Sequence, residues 1–344
     1  MYAENAVLTK SRALFARRLT KKNYTEMLQC NTVHEVASYL KGKTPYGADL
    51  EGVNISSIHR GWLEANLKKI LFDRFDALSH YDYALGDKFY HYYIVVGEVT
   101  QLIRCVTLMS SGEKEKYLLT LPEFFNSRTS LDLVQLGKAS TFSEFMEAVE
   151  HTPYHEICEK FIKKDTQSIN LIDFSKALDD YCFSVFVETI NNVAHGKSRE
   201  ELMNLAKLEI DVYNIEKLTR LSRFRENSLA YITTSSILSG GSLSDDVLQK
   251  LMQVRDIKEA VKVLKTTKYG KYLKEEYDYI ELATSDIRYA ISIHQMRFST
   301  FPRVVMFCYT NLVDLEIQNI IHIIEGIRYR ERPEEIMKLL VGIQ

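Results

Sequence analysis

Apolar residues recur at i, i+3, i+4 and i+7 in three short stretches: Val33/Val36/Ala37/Leu40, Phe142/Phe145/Met146/Val149 and Ile257/Ala260/Val261/Leu264. That spacing predicts three amphipathic helices, each burying one stripe. Each stretch opens on a capping residue, Thr32, Thr141 or Asp256, with Glu35, Glu144 or Glu259 three positions later. The pairing predicts a capping box, in which the cap side chain takes an orphan N–H and the glutamate reaches back to the cap. Each helix then meets a Thr-x-Tyr stop: Thr44-Pro45-Tyr46, Thr152-Pro153-Tyr154 and Thr267-Lys268-Tyr269. Proline ends the first two, because it lacks an N–H and disfavours helical geometry in the residue before it. The third has Lys268 there, so its stop is expected at Gly270.

The caps lie 109 and 115 residues apart, near a third of the 344-residue chain. A second anchor recurs at Glu98-x-x-Gln101, Asp211-x-x-Asn214 and Glu316-x-x-Asn319. Arg223-Phe224-Arg225-Glu226 and Arg328-Tyr329-Arg330-Glu331 each stand nine residues beyond their amide, and Leu19-Thr20 and Leu243-Ser244 each precede their cap by 13. This ordered recurrence predicts three helical modules of one kind, at residues 1–118, 119–228 and 229–344.

Only 14 glycines and 5 prolines punctuate the chain, too few for the turns of a β-rich protein, so the expected fold class is all-α. Long runs without breakers, such as Tyr154–His195 and Lys271–Phe301, read as helices, as does the alternating stretch Tyr93–Val96. Lys+Arg number 44 against 46 Asp+Glu, which leaves no overall field to draw nucleic acid or an anionic membrane. A local basic cluster at the N-terminus includes Arg17 and Arg18, read first as a solvated helix face and second as a partner contact. Five widely spaced cysteines read as buried free thiols of a reducing cytosol. The charged N-terminus does not resemble a secretory leader. No apolar run is expected to reach the length of a membrane span.

Little suggests catalysis. Gly196-Lys197-Ser198 lacks the upstream glycine of a phosphate-binding loop, since Asn191 holds that position. It reads instead as a helix end at Gly196 and a new cap at Ser198. His151 and His155 flank a proline and have no third ligand at metal-binding spacing. The acid–amide pairs are triplicated, as packing devices are and active sites seldom are. Gln101, Asn214 and Asn319 are therefore expected to bond backbone at helix bends. Arg223, Arg225, Arg328 and Arg330 complement helix C-termini, with partner contact as the second reading. No catalytic residue, metal ligand or cofactor is expected.

The triplicated Thr-x-Tyr turns, the acid-x-x-amide helices, and the closing run through Glu316, Asn319, Arg328 and Pro333 to Ile336 resemble the C subunit of bacterial and archaeal V-type (A-type) rotary ATPases. The d subunit of the vacuolar proton pump is the eukaryotic counterpart. The likeness runs from about residue 2 to 341. It departs at His155, where the other copies have glycine, and at Ser110-Ser111-Gly112, where the Arg-aromatic-Arg run is missing. The resemblance implies a funnel-shaped collar of pseudo-threefold symmetry, a monomer within a hetero-oligomeric complex at the cytoplasmic membrane face. It implies contacts with the proteolipid (c/K) ring and central-stalk subunits D and F, the large membrane subunit (I/a) being a further one. The implied role is a non-catalytic rotor subunit that transmits torque, moving protons or sodium through other subunits. The competing reading is a soluble helical-repeat adaptor unrelated to a rotary motor.

Overall fold

In the computed structural model, which describes residues 2–55, 58, 60–81, 86–119, 123–163, 166, 168–223 and 237–343, the chain is all-helical, with no strand among these residues. Its helices are α1 (Tyr2–Ala16), α2 (Lys21–Met27), α3 (Val33–Lys43), α4 (Arg60–Ser79), α5 (Gly86–Ser110), α6 (Glu115–Leu119), α7 (Leu133–Lys138) and α8 (Phe142–Ala148). There follow α9 (His155–Glu159), α10 (Leu171–Val193), α11 (Gly196–Arg223), α12 (Asp245–Gln253) and α13 (Ile257–Lys265), then α14 (Ile280–Phe298), α15 (Pro302–Tyr329) and α16 (Pro333–Lys338). The chain folds into two compact units. One comprises residues 1–86, 211–225 and 243–344; the other comprises 87–210 and 226–242.

The core of the first unit is α15. It is buried on every side from Val304 to Val313, the mark of a central helix. It packs against α1, α4 and α14. Pro302 opens it, where a missing N–H costs nothing. Arg330 closes it in the left-handed region, at φ 58°, while the Glu331 N–H returns to the Gly326 carbonyl at 2.8 Å. The end of α14 is closed by a different device. Arg12 of α1 donates to the carbonyls of Met296 at 3.0 Å, Arg297 at 3.3 Å and Ser299 at 2.8 Å, setting a cation on a helix C-terminus.

The second unit is built on aromatic packing. Tyr92 of α5 stacks on Phe186 of α10 with ring centroids 4.1 Å apart. Gly97 lies against the Phe125 ring so closely that a Cβ could not be added without displacing it. The stretch Tyr93–Val96 lies within α5, as expected. One expectation needs correcting here. Within α5, Tyr90–Ser110 is long and apolar enough to cross a membrane by length and composition, contrary to the expectation of no such run. The same helix carries Glu98, buried and hydrogen-bonded to residues of its own unit, as a core helix would.

Three local readings also change. Ser198 lies inside the first turn of α11, which already begins at Gly196 (φ 55°), and α10 ends earlier with Ala194 as its C-cap. Tyr154–His195 is interrupted, since α9 ends at Glu159, Lys160 to Lys163 are not helical, and a new helix, α10, starts under the Asn170 cap. Lys271–Phe301 is interrupted too, because the Tyr277 hydroxyl accepts from the Lys274 N–H and donates to Asp286, both at 2.8 Å. The cysteines are free thiols, Cys30 half-buried and the other four buried. Burial pushes the Cys158 and Cys182 thiols up to about 12.

Gly47 and Gly270 follow the first and third tyrosines in short 3-10 turns, and each presses its backbone on a carbonyl of the preceding helix, that of Lys41 or Lys265. An alanine Cβ would have to displace backbone there. Gly270→Ala is expected to cost about 1–3 kcal/mol as overpacking. Gly42→Ala, which meets open space on α3, should instead be neutral or stabilise by about 0.5–1 kcal/mol. Urea midpoints of the two variants check this; equal midpoints would contradict the close approach.

Candidate functional site: three buried tyrosine–carboxylate joints

The three Thr-x-Tyr stops share one geometry. The Thr44 hydroxyl donates to the Leu40 carbonyl at 2.6 Å and accepts from the Tyr46 N–H at 3.2 Å. Thr152 does the same between Val149 and Tyr154, at 2.7 and 3.3 Å, and Thr267 between Leu264 and Tyr269, at 2.7 and 3.2 Å. The threonine side chain thus closes the helix and turns the chain, which is why the residue between can be proline or Lys268. The stop therefore rests on Thr267 as well as on the glycine.

At the opposite ends, Thr32, Thr141 and Asp256 cap α3, α8 and α13 by accepting from the N–H groups of Glu35, Glu144 and Glu259. The return bond differs from the expected box. Glu35 accepts from Asn31, Glu144 from Ser140 and Glu259 from Arg255, each one residue before the cap. All three copies make the same substitution, because the cap residue's extended backbone presents the preceding N–H to the glutamate.

Each turn delivers a tyrosine into the interior. Tyr46, Tyr154 and Tyr269 are at most 1% exposed, and each hydroxyl donates to a buried carboxylate. Tyr46 meets Glu316 at 2.7 Å, Tyr154 meets Glu98 at 2.5 Å, and Tyr269 meets Asp211 at 2.6 Å. Each carboxylate also accepts a backbone N–H from just ahead of a capped helix. Leu19, before α2, gives 2.8 Å to Glu316; Ser130, before α7, gives 2.5 Å to Glu98; Leu243, before α12, gives 3.1 Å to Asp211. Glu98 gains the hydroxyls of Thr129 and Ser130 as well. One acid on a long helix therefore fixes both the start of a helix pair and the turn that ends it.

The pairing is cyclic along the sequence. The acid of one repeat holds the tyrosine of the next, and the last, Glu316, returns to Tyr46. Acids and tyrosines are both visible as repeated anchors, but reading them within a repeat obscures the bond. Within a repeat the tyrosine-to-acid separations scatter over 52, 57 and 47 residues. From acid to the next tyrosine they are nearly constant, 56 and 58. That constancy was the available signal.

Burial, and then the nearby carboxylate, push the hydroxyls of Tyr46 and Tyr154 well above the ordinary tyrosine range. Burial also raises the Glu316 carboxyl, opposed by the bonds from Tyr46 and Leu19 and the field of Arg74. Arg74 lies 4.6 Å from the Tyr46 ring centre and donates to Asp49 at 2.7 Å.

The amides behave unequally. Asn319 clamps the C-terminal segment, donating to the Val341 carbonyl at 2.8 Å and accepting its N–H at 2.9 Å. Gln101 and Asn214 are buried on α5 and α11, and Gln101 Oε1 has no partner among the described residues. Arg328 and Arg330 are exposed at the end of α15, Arg17 and Arg18 at the end of α1. The Arg223 side chain and Arg225 lie outside the described residues. Among the described residues no group of three His, Cys, Asp or Glu side chains is placed to hold a metal.

Three buried tyrosine–carboxylate joints holding helix pairs together define an all-helical protein with repeated internal joints. A sequence model of the ATP synthase (C/AC39) subunit family matches residues 7–339, and the chain belongs to that family. It is 26% identical over 262 residues to the C subunit of the A-type ATP synthase of Methanocaldococcus jannaschii, covering 72% of this chain and 63% of that protein. It is 22% identical over 351 aligned residues to the protein of the same description from Pyrococcus horikoshii, covering 96% of this chain and 88% of that one. For that of Methanobrevibacter smithii the identity is 22% over 275 residues, covering 78% and 68%.

Proposed function

We propose that this protein is the non-catalytic C subunit of an A-type ATP synthase, seated peripherally on the cytoplasmic membrane face. In that role it links the proteolipid ring to central-stalk subunits D and F and transmits torque between nucleotide chemistry and ion translocation. The observation that carries the reading is the family match over residues 7–339, joined to relatives described as C subunits of A-type ATP synthases. The joints support it mechanically. A torque-bearing part must not shear between its helices, and each buried carboxylate ties a long helix to two points of the following pair. Under this reading residues 1–118, 119–228 and 229–344 are three related modules arranged as a funnel-shaped collar, and the large membrane subunit is a further contact. Arg17, Arg18, Arg328 and Arg330 are its exposed cationic contact points.

The tagged chain, recovered from detergent-solubilised membranes in mild salt, should bring down a small, very hydrophobic ring subunit together with the stalk subunits. Recovery from the soluble fraction alone, without those partners, would favour an unrelated helical-repeat adaptor.

A further inference from the structure

The first unit contains a partly open cavity of about 430 Å³, lined by the end of α1 and the middle of α15. Its volume falls in the lower part of the range of small-ligand sites, about 300–1,000 Å³. The interior wall is mainly apolar and aromatic, carried by Leu14, Tyr24, Tyr289, Tyr309, Leu312 and Val313.

The charges around it are unevenly spent. Both acids facing the cavity are satisfied by the protein itself: Glu316 holds the Tyr46 hydroxyl and Leu19 N–H, and Asp49 holds Arg74. The polar groups of the wall are occupied too, since the Tyr289 hydroxyl donates to the Gly342 carbonyl at 3.2 Å and Asn319 is committed to Val341. Arg17 and Arg18 also line the cavity, and neither forms an ion pair among the described residues. Arg18 lies 4.3 Å from the Phe15 ring centre and makes one long 3.4 Å bond to the Phe15 carbonyl. Its field reaches Tyr24, Tyr289 and Glu316 inside the cavity. A guanidinium offers a planar fork suited to carboxylate or phosphate oxygens. Two such forks at the rim of an apolar chamber ask for one kind of molecule.

We propose that this cavity binds an amphipathic anion, its carboxylate or phosphate held by Arg17 and Arg18 and its unbranched alkyl stem lying among the tyrosines. The inference does not depend on a ring-and-stalk role, and its test needs only the purified chain. Decanoate, decyl phosphate and decanol are titrated calorimetrically below their micelle-forming concentrations. Both anions should bind saturably at one site, and decanol, with the same stem but no charge, at least about tenfold more weakly. The tighter anion names the head group: decanoate points to a free fatty acid, decyl phosphate to a lipid phosphate. Arg17→Ala/Arg18→Ala, at exposed positions, should lose tenfold or more in anion affinity with an unchanged melting temperature. Leu312→Trp, filling the chamber, should abolish binding of both. Absence of binding by either anion, equal binding of decanol, or undiminished binding by the arginine double variant would each overturn the proposal.

Discussion

Glu316→Leu is expected to destabilise the protein by about 3 kcal/mol at neutral pH, while Glu316→Gln costs about 1–2 kcal/mol. Leucine leaves the Tyr46 hydroxyl and the Leu19 N–H buried without their acceptor. Each orphaned donor costs about 1–3 kcal/mol, partly offset because a carboxylate no longer has to be desolvated. Glutamine keeps the shape, with its amide oxygen accepting from Leu19 and its NH2 donating to the tyrosine oxygen, so only the tyrosine O–H loses its acceptor. The two variants also separate by pH. Burial raises the Glu316 carboxyl above its ordinary 4.5, so over the window just above that value the folded chain holds a proton that the unfolded chain has released. Stability then falls as pH rises through the window, and the loss is complete once the folded group has ionised. Glu316→Gln removes that slope. Urea midpoints across a pH series for wild type and both variants read all of this. A Glu316→Leu midpoint within about 0.5 kcal/mol of wild type, or parallel pH profiles for wild type and Glu316→Gln, would show that the joint carries no such weight.

The most legible parts of the sequence are those where local chemistry decides. Helices α3, α8 and α13 begin one residue after Thr32, Thr141 and Asp256, because an apolar stripe and a capping oxygen act on the same short segment. The scarcity of glycine and proline points to the all-helical fold for a similar reason. What cannot be read is set by partners distant in the chain. Tyr277 holds residues 273–279 out of a helix by bonding Asp286, and no breaker marks that stretch. The joints are half legible: both anchors stand out as repeats, but the spacing presents the acids as neighbours of the amides rather than as acceptors. A tyrosine hydroxyl and a carboxylate separated by 270 residues, as in Tyr46 and Glu316, leave no local trace, and only the even spacing of the other two pairs hints at the rule. The αL position of Arg330 is hidden in the same way, since glycine is the usual signal for it.

The largest expected effect belongs to the coupling role. Under the proposed coupling role, a rotor lacking this subunit would retain its nucleotide-hydrolysing head but have no rigid link from stalk to ring, so hydrolysis and ion movement would part company. The two readouts fail differently: a catalytic subunit would take hydrolysis with it, whereas a mechanical link takes only the transport. The direct measurement is ATP-driven ion uptake into inverted membrane vesicles from a deletion strain, beside ATP hydrolysis by the detached head. The expected result is uptake abolished, hydrolysis by the head retained, and uptake restored when the purified chain is added back. Full uptake without the subunit would contradict the account.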